Sequence, residues 1–331
     1  MRIAILTGFA GFTAALATLA TPALAQKPAA DSYPFKPISI VIPFAAGGST
    51  DGEARLYTDK VGPSLGQQMV FDFRPGAASS IGMIHVLKSA PDGYTLLMAN
   101  SSSSVFPHFY PAVNENVART LEPITQLSNR LTIAVVSPAA LPNVHTLAEL
   151  QAYGKANPGK LNCNTSGSGS ITHTVCAAMA GELKVPIKAI HYKGVAQGQI
   201  DLVAGRVQVS AGTLFSGIPQ IRQGRLRAVA TLNTERSTQL PDLRTSHEQG
   251  FNIDFPSWIG LFAPPGTRRE IITRLNTEFV RAVRSPDVLK ALDAQGSLPI
   301  ASSPEEFRKK FAGELAYWKR IIQENNITLE E

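Results

Sequence analysis

The chain has 331 residues, 44% of them hydrophobic and 17% charged, a composition that buries one or two ordinary cores and excludes disordered, collagen-like, coiled-coil and multipass membrane proteins. Lys and Arg outnumber Asp and Glu by 31 to 25, and the resulting charge of +6 is scattered rather than gathered into a run, which favours a small anionic partner over nucleic acid. The two Cys and six His form no C-x-x-C and no H-x-x-x-H pair, so neither a metal site nor a cofactor is expected.

Between Arg2 and Lys27 there is no charge, and the apolar stretch 3–20 leads into the small-x-small triplet Ala23-Leu24-Ala25. This is the pattern of a signal peptide (1–25) cut after Ala25. A membrane anchor is the competing reading. Alanine and threonine are weak membrane formers, and the small-residue exit favours cleavage. Cleavage leaves 331 − 25 = 306 residues with a charge of 6 − 1 = +5 in the periplasm. There Cys163 and Cys176 either bridge or stay free, as geometry decides.

Beyond the signal, short apolar runs alternate with amphipathic segments, the form of an α/β protein. Strands are predicted at 38–43, 69–73 and 94–98, with a helix at 51–65 stopped by Gly66. A second set of strands follows at 131–136, 161–164, 187–190, 207–210 and 226–231, with helices between them. The C-terminal part is helix-rich. Ile271, Ile272, Leu275, Phe279, Val280 and Val283 share one helix face. Ser303-Pro304-Glu305-Glu306 is a capping box opening a helix whose Phe307, Phe311, Leu315, Trp318 and Ile322 mark a packing face, core rather than site.

The common enzyme motifs are missing: no G-x-S-x-G elbow, Walker A loop, G-x-G-x-x-G fingerprint or H-E-x-x-H. No catalytic residue is therefore expected. Instead, two strands pass through Gly/Ser turns into helices: Pro43-Phe44-Ala45-Ala46-Gly47-Gly48-Ser49-Thr50-Asp51, and Asn164-Thr165-Ser166-Gly167-Ser168-Gly169-Ser170-Ile171-Thr172-His173. Glycines let backbone N–H groups converge, and a helix N-terminus adds partial positive charge. A carboxylate suits such a site. Asp51, in the first helical turn, reads as a structural cap rather than a ligand contact.

Taken with their context, these turns carry a resemblance that spans the whole mature chain. Tyr33-Pro34-Phe35-Lys36-Pro37-Ile38, the first turn, Arg74-Pro75-Gly76-Ala77, Ala90-Pro91-Asp92-Gly93-Tyr94, Asn157-Pro158-Gly159-Lys160, Ser166-Gly167-Ser168-Gly169, Tyr192-Lys193-Gly194 and Trp258-Ile259-Gly260-Leu261-Phe262-Ala263-Pro264-Pro265-Gly266 occur in that order. In this the chain resembles the extracytoplasmic solute receptors of tripartite tricarboxylate transporters, the Bug family of periplasmic binding proteins.

The resemblance implies an α/β, two-lobed type II periplasmic binding protein fold with the ligand cleft between lobes. Lobe 1 is expected to hold 26–130 and 230–331, and lobe 2 to hold 131–229, with a hinge near 125–132 and 228–236. It also implies a monomer that binds a small organic acid and passes it to membrane transporter subunits. A di- or tricarboxylate, an aromatic acid and an amino acid all stay open as solutes.

The expected ligand-binding residues are Phe44, Ala46, Gly47, Gly48 and Ser49 in the first turn, Ser166, Gly167, Ser168, Gly169 and His173 around the second, and Ser101, Arg130, Lys193 and Thr213 elsewhere. For Arg130 and Lys193 the choice is between a surface cation and a partner for a second carboxylate. His173 either donates to an anion or packs. The chain departs from the family pattern at Ala177 and across 205–213, where the relatives commonly carry acids. Two other roles stay open: a loaded receptor that docks on a sensor kinase, and a secreted hydrolase using Ser168 or Ser170 with His173.

Overall fold

Three strand signals close in sequence, each followed by a turn and a helix, build parallel βαβ units because a parallel pair needs a crossover connection. The computed structural model describes residues 33–76, 79–110, 114–192 and 195–329, and all of these beyond Tyr33 fall in one unit that begins at Pro34. The expected signal peptide and Lys193 lie outside the described residues.

In chain order the elements are β1 (Ile38–Ile42), α1 (Ser49–Leu65), β2 (Met69–Phe73), α2 (Ser80–Leu87), β3 (Thr95–Asn100), α3 (Glu115–Ala118), β4 (Glu122–Arg130) and β5 (Thr132–Val136). There follow α4 (Leu147–Ala156), β6 (Leu161–Thr165), α5 (Ile171–Leu183), β7 (Ile187–His191), α6 (Val195–Val203), β8 (Val209–Thr213), α7 (Leu214–Arg222) and β9 (Arg227–Thr231). The chain ends with β10 (Trp258–Ala263), α8 (Arg269–Val283), α9 (Pro286–Ala294), β11 (Ser297–Pro299) and α10 (Pro304–Glu324).

The strands form two mixed sheets, ordered β11-β4-β10-β3-β1-β2 and β7-β6-β8-β5-β9. Each sheet, with its helices, is one lobe of a two-lobed α/β fold. β1 lies parallel to β2 and β3, and β6 parallel to β7 and β8, so each lobe carries a βαβ unit with its turn at the C-terminal end of β1 or β6. Ligands of open α/β sheets gather at that end.

β4, β10 and β11 were not among the predicted strands. β4 buries Thr125, Gln126 and Ser128 beside Ile124 and Leu127, which erases the apolar alternation that marks a strand. Pairing makes them strands: β10 lies antiparallel to β3 and β4, and β11 to β4. β8 begins two residues later than predicted and runs to Thr213, because its antiparallel register with β5 spans Val209 to Thr213.

Two chain segments cross between the sheets. At the first, β4 passes through Leu131 into β5. At the second, residues 232–257 return from β9 to β10. Backbone bonds tie them together: Arg130 N–H donates to Ser257 O at 2.7 Å, Leu232 N–H to Thr132 O at 2.9 Å, and Phe255 N–H to Leu232 O at 2.9 Å.

Helix α10 opens on the expected capping box, with Ser303 and Glu306 bonded reciprocally. Of its predicted packing face, Phe307, Phe311, Leu315 and Trp318 are buried and Ile322 is half-buried. Phe307, Phe311 and Leu315 join Trp258 and Phe262 in the core of the first lobe, while Trp318 joins Val175, Cys176 and Met179 in that of the second. The helix therefore packs against both lobes.

Candidate functional site

The first turn is shaped by one glycine and one acid. Gly47 sits at φ +78°, a conformation that L side chains disfavour, and its N–H donates to Asp51 Oδ2 at 2.8 Å. Asp51 also pairs with Arg55 Nε at 2.9 Å, so it is a cap, as expected. Gly48 is the N-cap of α1 with φ −76° and ψ 169°, an ordinary extended conformation. The positive-φ requirement thus falls on Gly47 alone. The first-turn N–H groups of a helix have no intrahelical acceptors, and in α1 they begin at this turn.

After β3 the chain folds into a short 3-10 turn, Ser101–Ser104. Asn100 Oδ1 accepts from Ser102 N–H at 2.9 Å, and Ser104 Oγ donates to Ser101 O at 2.7 Å. Ser104 Oγ also reaches Glu314 Oε2 at 3.2 Å, which accepts from Trp258 Nε1 at 2.6 Å. Burial raises the Glu314 carboxyl above the usual carboxylate range, with Lys310 at 3.2 Å opposing that shift.

Arg130, at the end of β4, is buried rather than on the surface. Its Nε donates to Glu53 Oε1 at 2.7 Å. Glu53, on α1, also accepts from Tyr57 Oη at 2.9 Å, Ser128 Oγ at 2.6 Å and Ser297 Oγ at 3.3 Å. Burial and the Glu53 charge push the Tyr57 phenol well above its ordinary value, so it stays a donor.

The second turn is a web of short bonds. Ser166 N–H donates to Thr172 Oγ1 at 2.8 Å, Ser170 Oγ to Gly167 O at 2.6 Å, and Gly169 N–H to His173 Nδ1 at 3.2 Å. Ser170 caps α5 by accepting from His173 N–H. His173 stacks edge-on against His191, whose Nδ1 lies 2.6 Å from Thr165 Oγ1. Cys163 and Cys176 form a disulfide that ties β6 to α5 beside this turn. With Ser170 Oγ and His173 Nδ1 both bound to backbone, the pair is not set as nucleophile and base.

Both turns open on the space between the lobes. A cavity of about 610 Å³ is bounded by Gly47, Gly48, Ser101 and Arg130 on one side and by Ser166 and Thr213 on the other. A cavity of about 480 Å³, sharing Ser102 and Ser166 with it, adds Phe44, Ser168 and Gly169. Ala46, Gly167 and His173 belong to the turns but not to these walls, and His173 is buried beneath its turn. Ser49 opens α1.

Sequence reasoning missed the floor contributed by the second lobe, where Asn164, Thr172, Gln199, Ser210 and Phe215 line the larger cavity together with Phe255 from the second crossing segment. An asparagine inside the buried strand β6 was the signal available for Asn164. Among the described residues, Arg130 is the one charged side chain on either wall.

The family described as tripartite tricarboxylate transporter family receptor matches residues 54–327. BugT of Bordetella pertussis is 33% identical over 315 residues, which cover 94% of this chain and 96% of BugT. An R. palustris protein solved with adipate is 28% identical with a TM-score of 0.80, covering 90% of this chain and 100% of its own. MatC from Rhodopseudomonas palustris with bound malate is 27% identical with a TM-score of 0.76, covering 88% and 100%. A match over nearly the whole described chain, on a two-lobed fold with a polar cavity between the lobes, makes this protein a member of the receptor family of tripartite tricarboxylate transporters.

Proposed function

We propose that the chain is a periplasmic receptor that binds a small carboxylate in the interlobe cavity and delivers it to the membrane subunits of a transporter. The observation that carries this reading is the convergence of two Gly/Ser turns, each opening a helix, on one cavity. The backbone N–H of Gly48, with hydroxyls of Ser101 and Ser166, supplies fixed donors for an anion, and the starts of α1 and α5 add partial positive charge. A preformed set of donors holds a carboxylate without a dedicated arginine clamp.

The malate and adipate bound by the two R. palustris relatives are small carboxylates of the size such a cavity admits. The signal-like segment 1–25 supports export to the periplasm. We take lobe 1 as 26–130 with 230–331 and lobe 2 as 131–229, closing on the solute about the crossing segments.

The test is a thermal-shift screen of organic acids, each beside its methyl ester, on the cleaved protein. Free ligand at a hundredfold excess over Kd adds about 2.7 kcal/mol of stability, a clear rise in Tm. A hit whose ester raises Tm equally would show that the carboxylate is not what the cavity reads. Superimposable scattering profiles with and without that hit would count against closure.

A further inference from the structure

Phe215, in the first turn of α7, is 51% exposed and lines the larger cavity. A lone exposed apolar side chain is ordinary on an outer surface, but this ring stands in the wall of the space between the lobes. Helix α7 gives Leu214 and Ile218 to the core of the second lobe, where Ile133 and Leu202 meet them, and leaves Phe215 to the cavity. The polar groups beside the ring are turned to one another. Thr213 Oγ1 donates to Ser216 Oγ at 3.2 Å, Ser216 Oγ to Thr213 O at 2.8 Å, and Gln199 Nε2 to Ser216 O at 2.7 Å.

We propose that Phe215 determines specificity by covering an apolar body on the solute; the proposal rests on the carboxylate-receptor reading above. The sheet sets the spacing. β6, which leads into the second turn, lies beside and parallel to β8, which leads into α7, so Phe215 stands one strand over from that turn. Neighbouring strands are about 5 Å apart, so a carboxylate held at the turn brings its skeleton to the ring once it is about three or four carbons long. Methylene or aryl surface laid there leaves water together with the ring. A hydroxyl laid there also leaves water, and finds its neighbours on α6 and α7 already bonded to one another. An ammonium fares worst, since among the described residues no Asp or Glu lines either cavity. The solute class is therefore an aliphatic or aromatic carboxylate with an unsubstituted body, with or without a second carboxylate beyond the ring, and not a hydroxy acid or an amino acid.

The experiment is calorimetry on the cleaved protein with two series, propionate to octanoate and succinate to suberate, and with matched polar partners: malate and aspartate beside succinate, 3-hydroxybutyrate beside butyrate, glutamate beside glutarate, mandelate and phenylglycine beside phenylacetate. In whichever series binds, affinity should climb by about twofold to fourfold per methylene once the chain reaches the ring. Each hydroxy or amino partner should bind about tenfold or more weakly than its unsubstituted acid. Phe215→Ala should flatten the climb and leave the shortest acid of the series unchanged, while Phe215→Leu, which keeps an apolar side chain, should retain most of it. No climb in the wild type, or a hydroxy or amino acid that binds best, overturns the proposal while leaving the carboxylate reading standing, and needs no variant to fold. A Phe215→Ala series whose climb parallels that of the wild type overturns it as well. Failure of every acid overturns the carboxylate reading and this proposal with it.

Discussion

Arg130 Nε donates to Glu53 Oε1 at 2.7 Å across 77 positions of sequence, joining the end of β4 to α1 beneath the cavity wall. Both side chains are buried, and three hydroxyls complete the Glu53 carboxylate. The guanidinium charge is therefore offset where it stands.

From that pairing we predict that Arg130→Met destabilises the fold by about 3–5 kcal/mol, the range for removing one partner of a buried ion pair. Urea unfolding measures it. The double variant Glu53→Gln/Arg130→Met should recover part of the loss, since no unpaired charge remains. A single variant as stable as the wild type would mean that Glu53 needs no cation.

The two glycines of the first turn should respond differently. Gly47→Ala forces a Cβ into a left-handed conformation and should cost about 1–2 kcal/mol, together with most of the carboxylate affinity. Gly48→Ala keeps an allowed conformation and brings its Cβ 3.3 Å from Ala45 O, so its stability should stay within about 0.5 kcal/mol of wild type. Equal effects at both positions would remove backbone conformation as the reason for the glycines.

Reduction offers a third measurement. The Cys163–Cys176 bridge closes a short loop with a sequence separation of 13, for which loop-closure entropy gives about 3 kcal/mol. Dithiothreitol should therefore lower the urea midpoint without abolishing folding, because the core of the second lobe also contains Val136, Leu161, Val175 and Met179. An unchanged midpoint after verified reduction would show that the bridge does not constrain the unfolded chain.

Glu314 predicts a pH dependence of definite sign. Burial raises its native-state pKa, so the native state binds its proton more tightly than the unfolded chain does. Stability from this group is present below the unfolded carboxylate value and is lost as pH rises through the raised native value. Glu314→Gln removes that slope. The stability of the wild type relative to this variant should then fall between acidic and neutral pH, and chemical denaturation of both proteins at two pH values reads the difference. A constant difference would assign Glu314 no proton-linked role.

The features legible in the sequence were those set by near neighbours. Residues 69–73 are a strand, as predicted, and Gly66 ends α1 in the left-handed conformation, because short apolar runs and helix stops are local signals. Ser303 and Glu306 cap α10 for the same reason, and the face from Phe307 to Trp318 repeats at helical spacing. The glycine turns were visible because a strand, a turn and a helix N-terminus follow one another directly along the chain.

Tertiary structure decided what depends on residues far apart. β4 is a strand because β10 and β11 complete its hydrogen bonds, although two thirds of its own residues are polar. From sequence Arg130 is either a surface cation or a partner for a second carboxylate; only the fold brings it, with Ser128 and Ser297, around the Glu53 carboxylate. Asn164 joined the cavity wall only when β6 paired with β8 and α6 closed over its amide at Gly198. In each case the energy lies in pairing or burial across long loops, and a local pattern carries no record of which distant group will supply the partner.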